Sequence, residues 1–247
     1  MKCLILAAGY GSRLRGIAES KPLAPVGGTP LIEHAIVRAA SAGATEFVVA
    51  TGYQADRVEQ FLASLRERTG LTITTIRCED WDRPNGYTVL AGAAAIDGEY
   101  LLMMTDHLFD SAIVRQLLSL ESRADVGLTL AVDLALQGEW LDIDDATKVA
   151  IDDEDRIVAI GKAIARYNAI DTGLFRATPE LAEALRADIA CGGGGSLSEG
   201  VQRLARDRRA RAMPIGAARW IDVDSPAMLT FAEIMLAQER AAAGVLA

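Results

Sequence analysis

The stretch Leu4-Ile5-Leu6-Ala7-Ala8-Gly9-Tyr10-Gly11-Ser12-Arg13-Leu14 decides the fold class. A short, continuously apolar run that ends in glycine is the pattern of a strand buried on both faces, leaving through a tight turn. Working outward, residues 30–42 have helical spacing, with Pro30 near the first turn and Gly43 just past the end. Residues 47–50 read as a second strand. Residues 54–68 read as an amphipathic helix carrying Val58, Phe61, Leu62 and Leu65 on one face. Residues 72–77 are a β-rich third strand, 88–96 an alanine-rich helix, 100–104 a fourth strand and 112–120 a helix. This alternation predicts a doubly wound, mixed, mostly parallel sheet, in which ligands sit at the carboxyl ends of the strands. The residues just after Leu6, Ala50, Arg77 and Met104 are therefore the first candidates for a site.

Beyond residue 125 the texture changes. Residues 126–132, 149–151, 157–160 and 170–175 read as shorter strands, and 179–187 and 196–206 as helices on either side of the loop Gly192-Gly193-Gly194-Gly195. Ser225-Pro226 starts a last helix, with Ser as N-cap and Pro at the first helical position. There is no internal repeat and no linker, so the expectation is one α/β domain over residues 1–247. Within it, 1–125 form a nucleotide-binding core and 126–247 an elaborated C-terminal third.

The chain has 247 residues, 51% of them apolar and 24% charged, which excludes a disordered chain. Its formal charge of −9 argues against a nucleic-acid partner held by phosphate neutralisation. That charge is unevenly placed. Residues 139–155 hold eight acids and one base, Lys148, and residues 203–211 hold five Arg and one Asp. Such runs read first as solvated surface. Three Cys, at 3, 78 and 191, are too few and too scattered for a disulfide framework or a zinc site, and Cys3 reads as a small core residue. The first apolar stretch is too short for a signal sequence and no run reaches about 18 apolar residues, so a cytoplasmic protein without a membrane span is expected.

Five constellations carry chemistry. The glycine turn lets backbone N–H groups of Ala8, Gly9 and Gly11 approach a phosphate chain, with Arg13 and Lys21 as fixed positive charge beside it. Leu14 stands at the third glycine position of a dinucleotide fingerprint, which disfavours an oxidoreductase. Asp106, leaving the fourth strand in Met103-Met104-Thr105-Asp106-His107, is placed to hold Mg²⁺, a hard cation that prefers oxygen ligands. His107 reads as a hydrogen-bonded neighbour. In Trp220-Ile221-Asp222-Val223-Asp224, alternation puts both carboxylates on one face; one of them could complete the metal site while the other caps the last helix. Asn85-Gly86-Tyr87-Thr88 follows the third strand and is equally a base-reading segment or a turn. Lys148, in Ala146-Thr147-Lys148-Val149, reads on its own as a charge balancer.

Taken together and in this order, these residues resemble the sugar-phosphate nucleotidyltransferases, whose hallmark is Leu-Ala-Ala-Gly-x-Gly-Ser-Arg-Leu followed by Lys-Pro, here Lys21-Pro22. Finer features resemble the CTP:inositol-1-phosphate cytidylyltransferase branch: Asn85-Gly86, Asp106-His107, Thr147-Lys148-Val149, Ile160-Gly161-Lys162, and the segment from Asn168 to Phe175. The resemblance covers about residues 2–230. It implies a Rossmann-like nucleotidyltransferase fold and transfer of CMP from CTP to inositol 1-phosphate, with Mg²⁺ as cofactor. It implies nucleotide contacts from Leu6, Ala7, Ala8, Gly9, Gly11, Ser12, Asn85, Gly86, Thr88 and Thr105, and catalytic roles for Arg13, Lys21 and Lys148. Asp106 and Asp222 would hold the metal. Lys148 would contact the acceptor phosphate, with Asp171 and Gly173 beside the acceptor. Leu23 departs from relatives that carry a second Lys there. Some relatives continue into a membrane-embedded phosphatidyltransferase domain; this chain carries none, which leads to the expectation of a stand-alone transferase. By analogy, a homodimer is one assembly the resemblance allows. The alternatives are phosphocholine or a sugar 1-phosphate as acceptor, UTP as donor, and a non-catalytic nucleotide-binding regulator on the same fold.

Overall fold

A computed structural model describes residues 1–14 and 18–245, with the side chains of Ser12 and residues 243–245 outside the described part. The first half of the chain holds β1 (Lys2–Ala7), β2 (Pro25–Val26), β3 (Thr29–Pro30), α1 (Leu31–Ala42), β4 (Glu46–Thr51), α2 (Ala55–Thr69), β5 (Thr72–Arg77) and α3 (Gly86–Ala93). It continues with β6 (Tyr100–Met104), β7 (His107–Phe109) and α4 (Ser111–Ser119). The second half holds β8 (Leu128–Asp133), β9 (Lys148–Ile151), β10 (Ile157–Gly161), β11 (Ala169–Ala177), α5 (Glu180–Ala190) and α6 (Leu197–Arg206). It ends with β12 (Ala210–Pro214), β13 (Trp220–Asp222) and α7 (Pro226–Val245).

Among the described residues nine strands share one sheet, ordered β10-β9-β11-β6-β1-β4-β5, with β8 on β11 and β12 on β8. The strands β6, β1, β4 and β5 run parallel, and β11 is antiparallel to β6, so the sheet is mixed and mostly parallel around its centre. The period-two geometry of a strand sorts β1 between two cores. Cys3, Ile5 and Ala7 pack with Ile32 and Ile36 of α1, Val58 and Leu62 of α2, and Ile113 and Leu117 of α4. Leu4 and Leu6 pack on the other face with Val89 of α3, Leu181 and Leu185 of α5, and Val201 and Leu204 of α6. Each such fully buried aliphatic side chain stabilises the fold by roughly 1.5–3 kcal/mol. Cys3 is the core residue expected of it, fully buried with its thiol on the Met103 sulfur.

A third cluster lies beyond the carboxyl ends of the strands. It joins Leu14 of the glycine turn, Leu108 of β7, Ile221 and Val223, and Ala232, Met235 and Leu236 of α7. It clamps the turn after β1 to the β7–β13 pair, whose register sets Asp222 opposite His107.

Several ends follow the expected local chemistry. Gly43 closes α1 in the left-handed conformation at φ 115°, and Ser196 with Glu199 forms a capping box on α6. Ser225 Oγ accepts from Met228 N at 3.3 Å at the start of α7. Two surface expectations are corrected. The arginine-rich run 203–211 is not simply solvated: it ends in β12, parallel to β8, and Arg209 forms an ion pair with Glu180 at 2.5 Å. The acidic run 139–155 does not all face solvent either, because Asp142 and Asp145 line a cavity.

Candidate active site

Two adjoining cavities open beyond the carboxyl ends of β1 and β6. The smaller, about 190 Å³, is walled by Leu6, Ala7, Ala8, Gly9 and Gly11 from the first strand and its turn. Thr88, Thr105 and Asn85 close it from α3 and β6, and Trp81 and Arg83 come from the loop after β5. The other, about 250 Å³, is lined by Arg13, Asp171, Gly173 and Asp222, together with His107, Trp140, Asp145, Lys162 and Asp224. Lys21, Asn85, Met104 and Asp106 line both and form the boundary.

The backbone shapes the smaller cavity. Tyr53 N donates to Ala8 O at 2.9 Å, and the Thr105 hydroxyl donates to Leu6 O, so the turn is fixed to the ends of β4 and β6. Gly11 has φ +59° and a Cβ there would lie 2.3 Å from Lys21 Cβ, so only glycine lets Lys21 pass beneath the turn. Gly86 lines neither cavity. A Cβ there would lie 2.2 Å from Gly195 O, so it serves the contact between α3 and the glycine loop. Asn85 has one function the sequence did not suggest: its Oδ1 accepts from Leu197 N at 2.8 Å and tethers the start of α6.

Electrostatics concentrate at the boundary. Lys21 Nζ donates to Asp106 Oδ2 at 2.5 Å and lies 3.9 Å from Asp222 Oδ1. Burial opposes the charge on Lys21, but Asp106 and Asp222 outweigh it and raise its pKa. Burial likewise opposes the charge on Asp106, yet Lys21 and His107 hold its carboxyl far below the usual range. His107 Nδ1 hydrogen-bonds Asp106 Oδ1 at 2.8 Å and its ring stacks on Trp220 at 5.7 Å. Burial alone would favour neutral imidazole there; Asp222 and Asp106 push its pKa to about 9 instead. Burial, reinforced by the like charge of Asp106, pushes Asp222 up to about 6.

Asp106, His107 and Asp222 bring ligand atoms within 4.8 Å of one another, the one such cluster found among the described residues. Asp222 Oδ1 is buried with no hydrogen-bond partner. Two carboxylates with an unshared buried oxygen suit a hard divalent cation, so the donor set fits Mg²⁺. Asp224, the alternative helix cap, pairs instead with Arg13 at 2.8 Å.

In the second cavity, burial pushes the Asp171 carboxyl up to about 6, although Gly173 N donates to its Oδ1 at 2.7 Å. Gly173 has φ +73°, and a Cβ there would meet the His107 ring at 2.7 Å. Lys148 does not line either cavity; its Nζ donates to Lys162 O at 2.9 Å. The side chain of Ser12 lies outside the described residues. Trp81, Trp140, Asp145 and Lys162 were missed. Trp81 follows the end of β5, where the sheet rule directs attention; Asp145 was hidden in an acidic run.

No described helix is long and apolar enough to cross a membrane. Comparison with known proteins then gives the kinship. The chain is 34% identical, over 94% of its length and 51% of the relative's, to a bifunctional IPC transferase and DIPP synthase of Rubrobacter xylanophilus. Its counterpart from Thermococcus kodakarensis is 28% identical over 95% of this chain and 50% of its own. The chain spans about half the length of these curated relatives. The solved inositol-1-phosphate CTP transferase from T. maritima superimposes with a TM-score of 0.82 at 24% identity, over 95% of this chain and 94% of that one. A UDP-glucose pyrophosphorylase complexed with UDP-glucose gives 0.78 at 19%, over 96% and 98%. At these identities the two structures establish the nucleotidyltransferase fold. A family model, MobA-like NTP transferase domain, matches residues 3–213. The chain belongs to the family of MobA-like NTP transferase domains.

Proposed function

We propose that this chain is a cytidylyltransferase that moves CMP from CTP to inositol 1-phosphate, releasing pyrophosphate and giving CDP-inositol. The observation that carries the reading is the pair of cavities meeting at Lys21 and Asp106, one made of backbone turns and one of charged side chains. That arrangement suits a nucleotide on one side and a phosphorylated acceptor on the other. The choice of CTP and inositol 1-phosphate is supported by the solved structure named for both and by the similarity of 94% of this chain to half of a bifunctional IPC transferase and DIPP synthase.

The acceptor is a phosphate monoester, largely dianionic near neutral pH because its second pKa is about 6. One of its oxygens attacks the α-phosphorus of CTP as the bond from that phosphorus to the β-phosphate oxygen breaks, and pyrophosphate leaves with the electron pair. No side chain has to remove a proton. The protein's task is to bring two polyanions together in line. Backbone N–H groups of Ala8, Gly9 and Gly11 hold the triphosphate, and Arg13 and Lys21 offset its charge. Asn85 and Thr88 face the base, and Asp171 faces the acceptor's hydroxyl groups. Asp106 and Asp222 are the residues that would hold Mg²⁺, which supplies positive charge to the triphosphate oxygens.

The test is pyrophosphate release from each nucleoside triphosphate paired with inositol 1-phosphate, glucose 1-phosphate or phosphocholine. Release that requires CTP and inositol 1-phosphate is expected. Equal or faster release with UTP and glucose 1-phosphate would replace the reading with a uridylyltransferase, the activity named for a Haloferax volcanii relative that is 27% identical over 85% of this chain.

A further inference from the structure

The loop between β5 and α3, residues 78–85, brings Trp81, Arg83 and Asn85 to the smaller cavity. Asn85 also lines the second cavity, whereas Trp81 and Arg83 line the smaller one alone. Those two side chains therefore lie away from the Lys21–Asp106 boundary, at the end left for a base when the phosphates meet the acceptor. Arg83 is held in place there. Its N donates to Asp80 O at 3.0 Å, its guanidinium carbon lies 3.7 Å from the centroid of the Tyr87 ring, and its Nη2 donates to the Tyr87 hydroxyl. Tyr87 is itself wedged, because a Cβ on Gly195 would lie 2.7 Å from its ring. Among the described residues the one carboxylate within 4 Å of Arg83 is Asp80, at 3.7 Å. Arg77, at the end of β5, instead has Asp56 and Glu59 at 2.7 and 2.6 Å. A guanidinium held over a ring, with no carboxylate in contact, keeps in-plane N–H groups for another planar partner. Trp81, its ring 5.5 Å from that of Tyr53, adds an aromatic surface beside it.

We propose that Arg83 is the residue that selects cytosine over uracil, its guanidinium donating two N–H groups to N3 and O2 of the base. The proposal rests on the cytidylyltransferase reading and names the side chain that decides the donor. Cytosine presents N3 and O2 as two adjacent acceptors. Uracil presents N3–H, a donor, between two carbonyl oxygens. Two neighbouring N–H groups of a guanidinium match the first edge and set donor against donor on the second. A charged donor left facing a donor loses more than a contact that is merely absent, so the mismatch discriminates strongly. Asn85 does not draw this distinction. Its Oδ1 is engaged by Leu197 N, and its amide N–H groups suit the O2 that both bases carry. Positive charge for the triphosphate already stands at the boundary in Lys21.

The experiment measures kcat/KM for CTP and for UTP, with inositol 1-phosphate as acceptor, in wild type, Arg83→Lys and Arg83→Gln. Binding of CMP and UMP to the same three proteins is measured by calorimetry. Each ratio compares two nucleotides on one protein, so a loss of stability common to both cancels. Arg83→Lys keeps the charge and loses the fork, and is expected to lower the CTP/UTP ratio about tenfold or more. Arg83→Gln offers one donor and one acceptor, which admits the uracil N3–H, so it is expected to lower the ratio at least as far and to bring the CMP and UMP affinities together. A residue that only offsets phosphate charge would behave otherwise: Arg83→Lys would stay near wild type and Arg83→Gln would weaken both nucleotides equally. That pattern, or ratios within about twofold of wild type in both variants, overturns the proposal and leaves the cytidylyltransferase reading standing. If the wild type uses UTP as well as CTP, the reading and the proposal fail together.

Discussion

The two cavities are built by opposite means. The smaller is shaped largely by backbone: one strand end, one glycine turn, and the hydrogen bonds that fix Leu6 and Ala8 to neighbouring segments. The other is lined by charged side chains, Arg13, Asp145, Lys162, Asp171 and Asp224, from five separate segments. A backbone cradle suits any ligand that carries phosphates and leaves discrimination to the few side chains beside it. A side-chain cavity can change its acceptor by changing a few residues while the sheet stays the same. This gives a physical basis for one fold serving relatives named for different sugar phosphates.

The largest expected effect falls where both sides meet. Asp106→Asn and Asp222→Asn should each lower kcat by about a thousandfold or more at saturating Mg²⁺ while both substrates still bind. A near-normal rate in either would separate the metal from the boundary. Next is Gly11→Ala, which breaks the backbone side alone. The added methyl would force Lys21 aside, and kcat/KM for CTP should fall about a hundredfold with little change in acceptor binding. An equal loss for both substrates would show that the turn supports the acceptor side as well.

Asn85→Asp sharpens the comparison further. It keeps the oxygen that accepts from Leu197 N and loses the amide donor toward the nucleotide cavity. KM for CTP should rise about tenfold with the melting temperature little changed, whereas Asn85→Ala should also destabilise by about 1 kcal/mol. The smallest effect is one of stability on the acceptor side. Gly173→Ala imposes φ +73° on an alanine and presses on the His107 ring. It should cost about 1–3 kcal/mol in denaturant unfolding, and no loss would show that β11 can give way there.

The same contrast governs how much could be read from the residues. The buried strands β1, β4 and β6 are apolar runs and each is found where the run is, while the edge strand β5 is legible from its β-branched residues. The glycine turn, Lys21 and Asp106 follow directly from strand ends in a parallel sheet. The pairing of Asp106 with Asp222 depends on β7 and β13, three residues each and too short for any periodicity to reveal. Strand β12 is masked by Arg211 inside an arginine-rich run, although Ala210 and Ala212 face the core. Asp145 and Lys162 could not be told from solvated charges, because what separates them is a contact across 17 residues with no local signature. Asn85 illustrates the remaining gap: residue type suggested base reading, and long-range packing gave it a helix to hold.

The central claim is that donor and acceptor occupy adjoining cavities together and that the acceptor phosphate attacks the α-phosphorus of CTP directly. The stereochemical course at that phosphorus tests it most directly, using CTP with a chiral α-phosphorothioate and inositol 1-phosphate. One in-line displacement at the Lys21–Asp106 boundary gives inversion, the expected result. Retention would mean two displacements through a covalent nucleotidyl-protein intermediate and would contradict the account.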